Sequence, residues 1–120
     1  MLKVQWATNT NGKWCELYNT DFSGLNISGV YIIFIIKIDK PCVIKVGQST
    51  SICQRLMQYD NDEHMLYYLN INRNKAYVTW VELNKDYLDG VEVYLGKIKY
   101  NPLIAERFPN ANPISVNTPF

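Results

Sequence analysis

A run of β-branched and aromatic residues from Val30 to Ile38 restricts the fold more than any other feature of this sequence. Strands favour such residues, and Gly29 and the proline-containing turn at 39–41 bound the run. A second apolar run from Cys42 to Val46 ends at Gly47. We therefore predict two neighbouring strands, near 30–38 and 42–47, joined by a short turn.

A helix is predicted directly after the second strand, near 51–59. Ser51 is a residue type that caps helix N-termini, and Gln54 stands three residues later, as in a capping box. Ile52, Leu56 and Tyr59 then repeat at the spacing of one apolar helix face.

Three polar side chains belong to these elements. Tyr31 and Lys45 lie on the two predicted strands, and Arg55 lies beside the apolar stripe of the helix. We expect a phenol, an ammonium and a guanidinium to converge on one surface. Each also has an ordinary role: Tyr31 as a core aromatic, Lys45 as a strand-face lysine and Arg55 as a surface residue.

The remainder of the chain is predicted to add further strands and one more helix. Residues 66–71 and 76–83 have the composition of strands, and the turn at 72–75 between them carries two positive charges. That turn is either a solubilising turn or a contact for a phosphate backbone. Apolar positions repeat with helical spacing over 86–99, and the proline-containing tail from 102 onward is expected to be extended and to pack over the core.

The predicted fold class is α/β (α+β), with a small, mainly antiparallel three-stranded sheet flanked by helices. Its main strands are 30–38, 42–47 and 76–83. Residues 1–28 are predicted to form an N-terminal β extension packed on the core, and 29–120 to form the principal domain. A chain of 120 residues with 48% hydrophobic residues suffices for one modest core.

Charge and cysteine content limit the classes of function. The net charge is +1, so the composition provides no global basic field for nucleic acid. Three cysteines without Cys-x-x-Cys spacing favour neither a disulfide framework nor a zinc site, and no apolar run approaches the length of a membrane span. We expect a soluble, cytoplasmic protein. His64 follows an acidic loop at 60–63, which we interpret as a solvated turn in preference to a metal site.

Glu92 interrupts an otherwise apolar stripe of the 86–99 helix. A carboxylate in such a position is costly unless it is paired, used as a cap or bound to a metal. Asp89 and Glu92 have the Asp-x-x-Glu spacing of a capping box, and on residue pattern alone capping is the favoured interpretation.

The ordered set of short motifs resembles the GIY-YIG nuclease superfamily over residues 29–119. Gly29-Val30-Tyr31 is similar to the first signature tripeptide, Lys45-Val46-Gly47 to the second, and Arg55 to the arginine of the following helix. Lys45 stands where the second tripeptide normally begins with tyrosine.

The resemblance implies a metal site and reverses the preference for capping at Glu92. A helical glutamate of this superfamily holds one divalent metal ion, and Glu92 matches it. Asn117 matches the downstream asparagine that completes the site better than Asn110 or Asn112, which lie in a turn-rich stretch. The implied cofactor is one Mg²⁺ or Mn²⁺, with no small organic cofactor.

Two functional hypotheses follow from the resemblance. The first is a metal-dependent endonuclease acting on DNA, in which Tyr31 orients the attacking water, Lys45 assists Tyr31, Arg55 clamps the phosphate and Glu92 holds the metal. The second is a degenerate domain that binds nucleic acid or a protein partner without cleavage. If the chain is a nuclease, specificity is expected to come from the N-terminal extension, from a homodimer or from a separate protein partner. Clustering of Lys37, Lys40, Lys45, Arg55 and Arg73 on one face would favour nucleic acid, and scattering would favour a protein partner.

Overall fold

The computed structural model of the chain describes residues 1–72, 75–104 and 107–120, with the backbone alone at 60, 61 and 70–72. In chain order the elements are β1 (Cys15–Glu16), β2 (Gly29–Lys37), β3 (Lys40–Ser49), α1 (Ile52–Met57), a 3₁₀ turn (Gln58–Asn61), α2 (Glu63–Asn72), β4 (Tyr77–Glu82), α3 (Lys85–Val93) and a π-helical turn (Tyr94–Tyr100).

The strands form one antiparallel, four-stranded sheet with the order β1-β4-β2-β3. This confirms the predicted α+β class, and the fourth strand is the short β1 of the N-terminal segment. β2 lies between β3 and β4, and its run of β-branched residues is buried on both faces because one hydrophobic core covers each face of the sheet. β3 is the outer strand on one side of the sheet, and its far half carries part of the site described below.

Alternate residues of β2 belong to two hydrophobic cores, one on each face of the sheet. The face of Tyr31 and Ile33 packs against Ile52 and Leu56 of α1. The opposite face packs against α3 and the C-terminal tail; its members include Val30, Ile32, Phe34, Val91, Leu95 and Val116. The period of two along a strand therefore sends Tyr31 to the layer of α1.

The tail closely approaches one glycine of α3 and one glycine of the π-helical turn. A Cβ atom at Gly90 would lie 2.5 Å from the Ile114 side chain, and one at Gly96 would lie 2.3 Å from the Phe108 ring. These glycines cost helix propensity, as the sequence indicates, but they provide the space in which the tail packs. Ile104 and Val116 are buried as predicted, whereas Leu103 is exposed.

The prediction of a strand at 66–71 is wrong, and so is its predicted hairpin with 76–83. The segment belongs to α2, whose first turn is capped by Asp62 through a 2.9 Å hydrogen bond from the Met65 N–H. Over an apolar run of this length, periodicity does not distinguish a strand from a helix. Asp62 and Glu63 are the helix-start signals that decide it.

Both predicted capping boxes are also corrected. Ser51 occupies the N-cap of α1 but makes no side-chain cap hydrogen bond, and its own N–H is bound by the Ser49 hydroxyl at 2.9 Å. α3 begins at Lys85, where the Asn84 side chain accepts the N–H of Asp86. Asp89 is therefore inside the helix, and Glu92 lies near its end instead of in its first turn. In the portion of the chain that the structure covers, no helix has both the length and the apolar character needed to cross a bilayer.

Candidate active site

The phenolic oxygen of Tyr31 is the centre of a polar cluster inside the α1 layer. Tyr31 is fully buried, and its hydroxyl lies 2.6 Å from the Tyr59 hydroxyl. Arg55 donates to the same oxygen from Nε at 3.3 Å. A strand residue, a helix residue and a residue of the 3₁₀ turn thus meet at one atom.

Gly47 makes room for this arrangement. It pairs with Tyr31 in the β2–β3 register, and a Cβ atom placed on it would lie 2.3 Å from the Tyr31 phenolic oxygen and 2.4 Å from Cζ. Both contacts are far shorter than van der Waals separations, so a side chain at this position would displace the phenol. The glycine of the second tripeptide is therefore explained by the approach of the Tyr31 ring.

Arg55 is held over the phenol pair by the way in which α1 starts. The first turn of the helix is fixed to the loop before β2, because the Ile52 N–H donates to the Ile27 carbonyl at 2.9 Å. Arg55 also donates from Nη1 to Gln58 at 3.3 Å. The hydrogen bond to Tyr31, followed by the electrostatic attraction of that phenol, raises the pKa of Arg55 above its ordinary value. The guanidinium is a permanent cation at the mouth of the cluster.

Tyr59 is a polar member of the cluster that the sequence reasoning missed. It was predicted only as part of the apolar stripe of the helix, and its ring is indeed nearly fully buried. Its position four residues after Arg55 places both side chains on one helix face, which was the available signal. Tyr59 is therefore the second phenol of this cluster.

Lys45 approaches the second phenol. Its side chain is 7% exposed, and its ammonium nitrogen lies 5.5 Å from the centroid of the Tyr59 ring. In the β2–β3 register Lys45 pairs with Ile33, so it projects from the same face of the sheet as Tyr31. The ammonium therefore lies near the Tyr59 ring, on the face of the sheet that carries Tyr31. Lys45 thus joins Tyr31 and Arg55 in the convergence that the sequence predicts.

Glu92 is connected to the cluster through the strand that carries Gly47. The carboxylate of Glu92 is 6% exposed and accepts a 2.7 Å hydrogen bond from the side-chain amide of Gln48. The same amide nitrogen donates to Asp89 at 2.6 Å. Gln48 follows Gly47 directly. The phenol cluster therefore contacts β3 at Gly47 and the carboxylate pair contacts it at Gln48, on opposite sides of this outer strand.

Asn117 has a different environment from the one that the resemblance implies. Its side-chain carbonyl accepts the Val4 N–H at 2.6 Å, and its side-chain nitrogen donates to the Val4 carbonyl at 2.8 Å. Its backbone donates to Leu2 and accepts the indole N–H of Trp6. Asn117 therefore fastens the N-terminal segment to the tail, and its amide is engaged there rather than with Glu92.

The donor groups fit a hard cation better than zinc. Among the residues that the structure describes, no three His, Cys, Asp or Glu side chains form a cage around one point. Glu92 and Asp89 offer carboxylate oxygens, and the amide nitrogen of Gln48 donates to both carboxylates. Mg²⁺ prefers oxygen ligands and retains several waters, so it needs few protein ligands. His64 is exposed in the first turn of α2, beside Tyr67 and Tyr68, and is no part of this group.

The basic residues proposed as a test of nucleic-acid binding do not form one patch. Lys37 and Lys40 face each other at the β2–β3 turn, whereas Lys45 and Arg55 lie at the polar cluster. Lys37 lies six positions after Tyr31 on β2, which is about 20 Å along a strand. Arg73 lies outside the described residues.

Comparisons with known proteins leave the family of this chain unassigned. No model of a known protein family, no curated protein and no solved structure matches it.

Proposed function

We propose that this chain is a metal-dependent endonuclease that hydrolyses phosphodiester bonds in DNA. The observation that carries the proposal is the convergence of Arg55 and Tyr59 on the Tyr31 hydroxyl. A buried phenol pair under a permanent cation has no evident purpose in core packing, because apolar side chains would fill the same space without a desolvation cost.

The phenol pair is proposed to accept the proton of the attacking water. A free phenol titrates near pH ~10, so it is a poor base near neutrality without assistance. The pair must carry one phenolate before it can accept this proton, after which it is neutral; in the proposal, Arg55 at 3.3 Å and Lys45 near the Tyr59 ring offset the negative charge of that phenolate. The 2.6 Å hydrogen bond allows the proton to be shared between Tyr31 and Tyr59.

Arg55 is proposed to have a second role at the phosphate. Tyr31 is fully buried, while Arg55 is exposed and lies over its hydroxyl. In the proposal the Nη groups of the guanidinium bind the phosphate while Nε keeps its hydrogen bond to Tyr31. Arginine suits this double role because its planar group binds phosphate oxygens through two parallel hydrogen bonds.

Glu92 is proposed to hold the metal ion at the edge of β3. A bound Mg²⁺ or Mn²⁺ supplies positive charge for the phosphate oxygens and for the leaving 3′ oxygen. Gln48 fixes one carboxylate oxygen of Glu92 through its 2.7 Å hydrogen bond. In the proposal the substrate phosphate lies at the exposed edge of β3, because the phenol cluster and Glu92 are on opposite sides of this outer strand.

The test is nicking of supercoiled plasmid with Mg²⁺ or Mn²⁺ and with EDTA. We expect metal-dependent cutting that falls by about 10²–10⁴-fold in Tyr31→Phe, the range for loss of an acid–base group. Glu92→Gln should abolish metal-dependent cutting. Glu82 is an exposed carboxylate of β4, and Glu82→Gln serves as the matched control. Tyr59→Phe tests the second phenol, and wild-type activity in that variant would remove Tyr59 from the mechanism.

The second candidate function is binding of nucleic acid or a protein partner without cleavage, and the net charge of +1 favours it. The separation of Lys37 and Lys40 from Lys45 and Arg55 favours a protein partner over nucleic acid. A folded wild-type protein that cuts no supercoiled, linear or single-stranded substrate with either metal would exclude the endonuclease. Retained binding of DNA in that case would assign the chain to the binding class.

A further inference from the structure

A cleft of about 600 Å³ opens between the N-terminal segment and β4, away from the polar cluster. Trp14, Ile36 and Tyr77 contribute its apolar walls, and Lys13, Glu16 and Lys75 its charged ones. Ile36 and Tyr77 belong to the face of the sheet opposite to Tyr31. The cleft therefore lies between the N-terminal extension and Lys75, neither of which the proposed reaction uses.

The aromatic walls of the cleft are held in place by their neighbours. The Trp14 ring lies edge-on to Phe34 at 5.5 Å and to Phe120 at 6.0 Å. The Tyr77 ring is stacked on Phe34 at 5.8 Å with an interplanar angle of 29°. Trp14 and Tyr77 are both only partly buried, so fixed ring surface remains open to the cleft.

Lys13 is presented beside Trp14 by an ordered turn. The Asn9 side chain accepts the N–H groups of Asn11 at 2.9 Å and Lys13 at 3.0 Å, and the Asn9 N–H donates to the Lys13 carbonyl at 2.7 Å. On the other side Lys75 pairs with Glu16 at 3.4 Å. Two cations and one anion leave a net charge of +1, which suits a single phosphate group rather than the dense charge of a duplex.

We propose that this cleft binds one nucleotide unit of single-stranded nucleic acid, with its base on Trp14 and Tyr77 and its phosphate between Lys13 and Lys75. Stacking on an aromatic ring requires a base whose face is not covered by its neighbours, as in a single strand. The volume matches that of small-ligand sites, which span roughly 300–1,000 Å³. The choice of nucleic acid among flat anionic ligands rests on the proposed function, but the binding does not require cleavage.

The test is fluorescence anisotropy of a fluorescein-labelled oligo(dT) of about 12 residues, within the span of single-strand binding sites, measured in EDTA to prevent cutting. Trp14→Leu should weaken binding by about 10- to 100-fold through loss of stacking. Lys13→Gln and Lys75→Gln should each weaken binding and reduce the slope of log K against log salt by about 0.7. Lys85→Gln, an exposed lysine at the start of α3, is the matched control.

The outcomes separate this proposal from the proposed function. Absence of oligonucleotide binding, or binding that Trp14→Leu and both lysine variants leave unchanged, would overturn the cleft even if plasmid nicking is normal. Binding with the expected variant pattern in a protein that does not nick would support the cleft and overturn only the endonuclease. An oligoglutamate peptide that binds with the same pattern when oligo(dT) does not would assign the cleft to a protein partner. Lys13 and Lys75 are exposed, so their variants remain informative if Trp14→Leu fails to fold.

Discussion

Replacing Asn117 with aspartate separates a structural role of this residue from a role at the metal. In the structure its amide both accepts from and donates to the backbone of Val4, at 2.6 and 2.8 Å. Aspartate keeps the acceptor but replaces the donor with a charged oxygen facing the Val4 carbonyl. At a metal site, by contrast, aspartate is a good oxygen ligand and would be tolerated.

The expected cost is about 1–3 kcal/mol of unfolding free energy at pH 7, because one hydrogen bond is lost and the Val4 carbonyl is left without its donor. With a urea m-value of about 1–3 kcal/mol/M, the unfolding midpoint should fall by roughly 1 M. The assay is urea denaturation of wild type and Asn117→Asp, with Asn112→Asp as an exposed control.

The pH dependence has a definite sign. The carbonyl disfavours the charged form of the new carboxyl, so its pKa in the folded state should lie above the ordinary aspartate value of about 3.9. The destabilisation relative to wild type is then largest at neutral pH and diminishes as pH falls through that raised pKa. Unchanged stability at pH 7 would refute the structural role, and retained nicking in the same variant would agree with a metal ligand at position 117.

Three further predictions concern other parts of the molecule. Gly47→Ala should lower stability by about 1–3 kcal/mol and reduce nicking, because its Cβ would collide with the Tyr31 phenol; a wild-type melting temperature would contradict that contact. Gln48→Leu should weaken Mn²⁺ binding by about 10- to 100-fold, measured by electron paramagnetic resonance, through loss of the hydrogen bond to Glu92; unchanged affinity would mean that Gln48 does not position the carboxylate. Burial raises the pKa of Tyr100, so its contribution to stability is complete below the ordinary tyrosine pKa of about 10 and is lost as pH rises beyond it. Between pH ~8 and pH ~10.5, the unfolding free energy measured by urea denaturation should fall less in Tyr100→Phe than in wild type. Equal decreases in the two proteins would show that Tyr100 does not contribute to this pH dependence.

The sequence by itself determined the central hairpin. The β-branched run of β2, Gly29 before it and Gly47 on β3 are local signals, and the structure follows them within one or two residues at most boundaries. The period of two then assigns Tyr31 and Phe34 to opposite faces of the sheet without further information.

Only the tertiary structure decided which polar groups meet. α2 was misassigned because Leu66 and its neighbours satisfy strand and helix composition equally, and the hydrogen bond to Asp62 selects the helix. The sequence pattern identifies Tyr59 only as a residue of the apolar stripe. In the structure the 3₁₀ turn places its hydroxyl against that of Tyr31. Asn117 lies more than one hundred residues from Val4 in the chain, and no local pattern encodes that pairing. Contacts between segments distant in sequence depend on how whole layers pack, so the composition of the site follows from the fold rather than from its motifs.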